Sequence, residues 1–192
     1  DTPSNFGQLG ERPTHPQLLD DLALGLIRNN WSLKWLHRTI VLSSAYRQKS
    51  NAKTHPNDPD NRLLSHMPRR RLEFEQWRDA MILAAGSLDQ KLGGPSVDPT
   101  TANGRRSLYL TVHRRDMSNM LLNHDFPAPV AHSPKRAQTT TALQGLFAMN
   151  GPLLLRVADQ LTKRLLESDT TDAERIGRAY RLLYSRNPQD RE

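Results

Sequence analysis

Apolar residues recur every three or four positions along much of the chain, a period that predicts amphipathic helices. The first of these helices should begin near Pro16, since proline suits a first turn, and end near Asn29. Its apolar positions are Leu18, Leu19, Leu22, Leu26 and Ile27. No stretch approaches the roughly 18 consecutive apolar residues of a membrane span, so the pattern predicts helices that bury one face.

A second helix should follow directly, with Ser32 as its N-cap. Its apolar positions are Leu33, Leu36, Ile40 and Val41. Because so few residues separate the two helices, we predict an antiparallel hairpin. Trp31 and Trp35 are four residues apart, and we expect their rings to lie along the same side of the hairpin.

Four further helices are predicted in the rest of the chain. One runs from about Leu72 to Ala85 and ends at Gly86, a residue suited to the C-terminal end of a helix. The second begins after possible caps at residues 139–141, the third runs from about 152 to 167, and the fourth runs from about 173 to 184.

The remaining segments lack this period. Residues 1–13 read as an extended lead-in, and residues 106–112 alternate as a strand would. That strand needs a partner, which we expect near residues 63–71, unless it lies extended against helices. Met117 to Arg136 reads as a long ordered loop with three prolines. The sequence therefore predicts a mainly α, multi-helix domain with helical hairpins, long ordered loops and at most one short β element.

The domain organisation follows from length and ends. A chain of 192 residues fits a single domain over residues 1–192. It starts at Asp1 without an initiator Met, so we interpret it as a fragment of a longer polypeptide. No export signal is present in the fragment.

The net charge is +7, from 27 Lys and Arg against 20 Asp and Glu. The basic residues are mostly arginine, spread from Arg12 to Arg191 and usually with acids nearby, so nucleic-acid binding is not the favoured interpretation. A polyanion-binding function stays open as an alternative. The absence of cysteine excludes disulfides, thiolate zinc sites, cysteine nucleophiles and covalent haem attachment in this chain.

The densest cluster of reactive side chains falls in and beside the long loop. It comprises His113, Asp116, His124, Asp125 and His132. Their spacing matches no zinc pattern, so we predict no metal and no cofactor. Asp125 or Asp116 could act as a base beside a histidine such as His124 or His113 in a hydrolase, but no nucleophile elbow surrounds the nearby serines.

Two other groups of residues have a structural and a functional interpretation. The basic runs Arg69, Arg70, Arg71 and Arg105, Arg106 could bind an anion, but pairing with the chain's own acids is favoured. Those acids are Glu73, Glu75 and Asp79. The three tryptophans could stack on sugars or bases, but core packing is favoured because they lie on apolar helical faces.

Several runs, taken in order, resemble one known family. They are THPQLLD at 14–20, WSLK at 31–34, SAYRQ at 44–48, DPDNRLL at 58–64, PRRRL at 68–72, RDA at 78–80, GGPS at 93–96, RRSLY at 105–109 and QGLFAMN at 144–150. The chain is similar throughout to domain of unknown function 1553, the planctomycete PSD domain, which forms the C-terminal part of large secreted proteins.

The resemblance implies context more than mechanism. It implies an exported, extracytoplasmic multidomain protein whose neighbouring domains include a c-type cytochrome module, and it carries no established activity. Positions that match the family pattern are Arg69, Arg70, Arg71, Arg106, Asp125, Arg136 and Asn150. The chain departs from the pattern at His124, Ala128 and Ser133, where relatives commonly have Phe, Asp and Cys.

Three functions remain open on this basis. The first is an interaction or structural module beside a haem-containing module. The second is an extracytoplasmic hydrolase that acts on a polymer through the 113–136 region. The third is a polyanion or nucleic-acid binder. The binding candidates are Arg69, Arg70, Arg71, Arg106, Arg136 and Asn150, and the catalytic candidates are Asp125, His124 and His113.

Overall fold

The computed structural model describes residue 5 and residues 7–50, 56–101, 104–168 and 171–192. Its helices are α1 (Pro16–Arg28), α2 (Leu33–Leu42), α3 (Phe74–Ala84), α4 (Asn119–Leu122), α5 (Ala142–Asn150), α6 (Pro152–Ser168) and α7 (Asp172–Tyr184), with a 3₁₀ helix at Ser107–Tyr109. The mainly α fold class is thereby confirmed. The residues form two compact units, Asp1–Arg71 and Leu72–Glu192.

The first unit contains the predicted helical hairpin, since α1 packs against α2. Ser32 is the N-cap of α2, as expected, because its side chain accepts a hydrogen bond from the amide of Trp35 at 3.2 Å. Gly25 lies against the ring of Trp35, where an added Cβ would meet ring carbon at 2.2 Å. Glycine is required there because the ring lies directly against the α1 backbone.

The prediction for Trp31 is wrong. Core packing was favoured for all three tryptophans, but Trp31 precedes α2 and lies in the turn with a φ of 58°. Its side chain is 68 % exposed, whereas Trp35 is half-buried against α1. The i, i+4 spacing failed because the two residues do not share a helix.

The lead-in lies partly outside the described residues, because residues 1–4 and 6 are not described. Residues 7–10 form a turn, closed by a hydrogen bond from the amide of Gly10 to the carbonyl of Gly7 at 2.9 Å. Farther along the first unit, the buried Asp58 carboxylate accepts hydrogen bonds from the amides of Arg62 and Leu63.

Helix α3 is the centre of the second unit, where it contacts the 3₁₀ helix, α6 and α7. Two buried clusters hold these elements together: Phe74, Leu110 and Leu121 in one, and Ile82, Ala85 and Val157 in the other. Helix α5 packs on α6, and α6 on α7.

The caps of this unit follow sequence signals. Thr141 caps α5, as predicted, and Gly86 ends α3 with a φ of 79°. Helix α3 begins with a capping box between Glu73 and Gln76. No described helix has the length and hydropathy needed to cross a membrane.

The strand predicted at residues 106–112 does not form. The segment contains the 3₁₀ helix instead, and isolated bridges join Asp89 to Arg105 and Val97 to Leu110. These partners also differ from the expected segment near 63–71. Since each pairing is one bridge long, no ladder develops.

Candidate functional site

A buried arginine fixes the segment 105–110 against α3. Arg78 has 0 % exposure, and its guanidinium donates to the carbonyl of Arg105 at 2.8 Å and to Ser107 Oγ at 3.2 Å. The neighbouring Asp79 carboxylate lies 3.3 Å from the same nitrogen. Burial lowers the pKa of Arg78, and the charge of Asp79 opposes this shift.

Asp79 forms the other half of this contact. Its carboxylate accepts hydrogen bonds from the amide of Ser107 at 2.8 Å and from the hydroxyl of Ser107 at 2.7 Å. Ser107 Oγ therefore accepts from Arg78 and donates to Asp79. The network holds the 3₁₀ helix in one position on α3 and leaves the Asp79 side chain partly exposed.

A cleft of about 400 Å³ opens between α3 and this segment. We name it the α3 cleft; its polar lining is Glu73, Glu75, Gln76, Asp79, Arg106 and Ser107, and its apolar lining is Leu108, Leu110, Val112, Leu121 and Phe126. Leu121 and Phe126 come from the segment predicted as a long loop, which therefore forms one wall of the cleft. That prediction is wrong for Asn119–Leu122, which form α4 and include Leu121. Acids and an arginine face an apolar wall in this arrangement.

Arg136 lies beside the cleft and pairs with its acids. The guanidinium is 2.6 Å from Glu75 Oε2, 3.4 Å from Glu73 Oε2 and 5.1 Å from the ring centroid of Phe126. Burial alone would raise the pKa of Glu75, but the hydrogen bond from Arg136, a backbone hydrogen bond and the arginine charge together lower it. The hydrogen bond to Glu75 raises the pKa of Arg136. Both groups are therefore charged at neutral pH.

This ion pair predicts an acid-dependent loss of stability. Because the folded pKa of Glu75 lies below its ordinary value of 4.5, the stabilisation is complete above that value and is lost as the pH falls through the folded pKa. In the Glu75→Gln variant, the free energy of unfolding should decline less steeply with falling pH than in the parent chain. Urea denaturation at several values between about pH 6 and pH 3 measures both slopes.

Glu167→Gln is the matched control for this prediction, since Glu167 is an exposed glutamate on α6. Its slope should equal that of the parent chain. Identical slopes for Glu75→Gln and Glu167→Gln would contradict the assignment of the acid dependence to the pair with Arg136.

Asp125 stabilises the long loop through hydrogen bonds to Thr139. It has a φ of 60°, a conformation that Asp tolerates better than most residues. Its carboxylate accepts from the amide of Thr139 at 2.8 Å and from the hydroxyl of Thr139 at 2.7 Å. These bonds join the two ends of the segment between α4 and α5.

His124 lies in an aromatic cluster. Its ring centroid is 4.6 Å from that of Phe74, 5.9 Å from that of Trp77 and 4.9 Å from that of Phe147. Its Nδ1 is 2.7 Å from the carbonyl oxygen of Met120. The ring therefore packs as an aromatic side chain with one polar contact.

The other candidate residues are dispersed. His113, Arg69, Arg70 and Arg71 are exposed, and Arg69 donates to the carbonyl of Ser50. Asn150 is exposed at the end of α5 and donates to the carbonyl of Leu146. Of the candidates, Arg106 lines the α3 cleft. Among the described residues, no group of three or more His, Asp or Glu side chains is placed to hold a metal ion.

The structure also reveals residues that sequence reasoning did not single out. Arg78 and Ser107 lie in the runs RDA and RRSLY, but their mutual contact spans 29 positions and no spacing rule predicts it. Glu73 and Glu75 were expected to pair with nearby basic runs; the ion pairs that define the cleft join them to Arg136. Arg136 lies in a proline-rich loop, and nothing in the neighbouring sequence indicates that it pairs with these glutamates.

A family model described as PSD1, a protein of unknown function (DUF1553), matches residues 1–192. No curated protein and no solved structure is detectably similar to the chain.

Proposed function

The chain belongs to the PSD1 (DUF1553) family over residues 1–192, and from this premise we propose that it is an interaction module of an exported multidomain polypeptide. It packs against neighbouring modules, among them a c-type cytochrome module. The export and haem context rests on the resemblance of the sequence runs to the family. The full-length reading frame tests that part: an export signal and a Cys-x-x-Cys-His motif should lie in the same polypeptide.

The observation that carries the proposal is the apolar surface left on α5 and α7. On α5, Leu143, Leu146 and Met149 recur every three residues and are exposed, Met149 by 74 %. The opposite side of α5, with Gln144 and Phe147, is buried or half-buried. A helix with apolar residues on a second, exposed face fits a position between two partners.

Helix α7 repeats this arrangement. It packs on α3 and α6, while Ile176, Leu183 and Tyr184 remain exposed on one stripe. Isolated exposed leucines are ordinary, but exposed apolar residues at helical spacing form an apolar stripe on each of these two helices. Such a surface supports packing against a further module.

A second observation supports the packing proposal: the reactive side chains of the loop are engaged in contacts within the chain. The carboxylate of Asp125 binds Thr139, the guanidinium of Arg136 binds Glu75, and His124 packs among aromatic rings. These groups stabilise the loop and its contact with α3, which is the role expected of them in a packing module.

Hydroxyl-radical footprinting of the full-length polypeptide tests the proposal. Met149 and Tyr184 are intrinsically reactive and highly exposed in this unit. If neighbouring modules cover the stripes, both should be protected several-fold relative to Leu92 and Val130, which are exposed outside them, after correction for intrinsic reactivity. Equal normalised rates at all four residues would overturn the proposal.

A second candidate function is hydrolysis of an extracytoplasmic polymer, and the α3 cleft is the observation that favours it. Glu75 and Asp79 line the cleft opposite apolar residues of the long loop. Glycoside hydrolysis commonly needs one carboxyl group that stays protonated, whereas the pKa of Glu75 is lowered. The charge state of Glu75 therefore suits a base and not the acid.

Variants separate the two functions. If the packing proposal is correct, the full polypeptide should show no polysaccharide hydrolysis that depends on Glu75 or Asp79. Neither Glu75→Gln nor Asp79→Asn should therefore remove turnover. Turnover that both variants abolish while Asp125→Asn retains it would assign hydrolysis to the cleft. Turnover that only Asp125→Asn abolishes would assign the hydrolysis to the 113–136 region instead.

A further inference from the structure

The turn between α1 and α2 carries three exposed apolar side chains within seven residues. They are Ile27 in the last turn of α1, Trp31 in the connection and Leu33 at the start of α2. Each is more than half exposed. We call these three residues the hairpin tip. All three lie at the end of the hairpin where α1 passes into α2.

The backbone holds Trp31 in an unfavourable conformation. Asn30 and Trp31 have φ values of 52° and 58°, and a bulky side chain rarely adopts a positive φ. Hydrogen bonds from the Trp31 amide to the Leu26 carbonyl, 2.8 Å, and from the Ser32 amide to the Asn29 carbonyl, 3.1 Å, fix the turn. Retained strain of this kind points to a role for the side chain, and here the strained residue presents its indole to solvent.

The packing of the hairpin does not require that indole. The contact between the helices is made by Trp35, whose ring lies against Gly25. Leu22, Leu26 and Leu36 are half-buried at helical positions near this contact. Trp31 is thus additional to the hairpin's own core.

The hairpin tip lies in an acid-free segment. Between Asp21 and Asp58 the sequence contains no Asp or Glu, and its basic residues are Arg28, Lys34, Arg38, Arg47, Lys49 and Lys53. Arg28, Lys34 and Arg38 are exposed; Arg28 follows Ile27 directly, and the other two follow the tip in sequence. The sequence-wide spread of arginine conceals this local concentration of positive charge.

We propose that the hairpin tip inserts into the interfacial layer of a membrane that contains anionic lipids. Tryptophan concentrates in that layer because its ring is apolar and its N–H is polar, and Lys and Arg beside it bind the anionic headgroups. Exposed apolar side chains at a turn can enter lipid to a depth of about 5–10 Å, which one helical turn spans. An acidic protein partner would satisfy the charge, but it fits a protruding indole less directly than a deformable lipid surface does. This peripheral contact is independent of the packing role on α5 and α7.

Vesicle sedimentation of the complete chain tests the proposal with Trp31→Gly as the main variant. Glycine is favoured at a φ of 58°, so this variant should fold at least as well as the parent while lacking the indole. Vesicles of phosphatidylglycerol and phosphatidylcholine should bind the parent chain, and Trp31→Gly should bind about tenfold more weakly. Leu63→Ser, an exposed apolar change outside the hairpin, is the matched control and should bind as the parent does.

Charge variants give a second measurement. Each of Arg28→Gln and Lys34→Gln should weaken binding to the anionic vesicles by about fivefold, the ratio expected for one basic residue near an anionic surface. Binding to pure phosphatidylcholine vesicles should be weak and unaffected by these changes. Equal affinity of the parent, Trp31→Gly and Lys34→Gln for anionic vesicles would overturn the proposal.

A labelling experiment decides between lipid and other polyanions without any packing change. The chain has no cysteine, so Leu33→Cys and Leu63→Cys can each carry one nitroxide label. On vesicles, the label at 33 should gain access to oxygen and lose access to a water-soluble nickel reagent, while the label at 63 should remain in water. A label at 33 that stays in water, or heparin binding as tight as vesicle binding in the same salt, would show a different partner.

Discussion

Replacing Arg78 with alanine is expected to lower the free energy of unfolding by about 3–5 kcal/mol, because removal of one partner from a buried charged network leaves the others unsatisfied. Arg78 has 0 % exposure, and its guanidinium binds the carbonyl of Arg105 and the hydroxyl of Ser107. Its loss also removes a positive charge beside Asp79. Urea denaturation followed by far-UV circular dichroism measures the change.

Two further variants make this expectation specific. Arg115→Ala removes an exposed arginine of the same unit and should change the unfolding free energy by less than about 0.5 kcal/mol. Arg78→Lys keeps the charge but loses the planar fork, so it should recover only part of the loss. An Arg78→Ala variant as stable as Arg115→Ala would show that the network does not hold the 3₁₀ helix on α3.

Local signals predicted most of the helices correctly. The N-caps at Ser32 and Thr141, the proline at the start of α1 and the glycine after α3 act over three or four residues, within reach of sequence reasoning. The helical periods agree with the observed bounds for the same reason. Each of these features depends on neighbours that the sequence itself displays.

The predicted strand at 106–112 shows where such reasoning ends. The burial of this segment does not alternate, since the two buried residues, Ser107 and Leu110, are three positions apart. The amide of Ser107 binds Asp79, and the amide of Leu110 binds the Ser107 carbonyl. The backbone amides that a β-ladder would need instead bind the Asp79 side chain and close a 3₁₀ turn. A period of two cannot reveal that competition.

The candidate site depends, even more than the segment 106–112, on contacts between residues that are far apart in the sequence. The prediction identified Arg136 and Arg106 but not the cleft they border, since the pair between Arg136 and Glu75 spans 61 positions. Trp31 failed for a different reason: core packing was favoured for its side chain, but a positive φ, rare at a bulky residue, holds it exposed in the turn. Both cases concern features that backbone propensity opposes or ignores.

The second large effect is expected for Leu121→Ala, which should lower the free energy of unfolding by about 2–5 kcal/mol through lost burial and a residual cavity. Leu121 is 1 % exposed and packs with Phe74 and Leu110 at the wall of the α3 cleft. Its neighbour Leu122 is 53 % exposed, so Leu122→Ala is a control of identical chemistry and should cost less than about 1 kcal/mol. Urea denaturation of both variants measures the difference. Equal losses would mean that the loop wall is not packed on α3, and the cleft would then lose the wall that Leu121 provides.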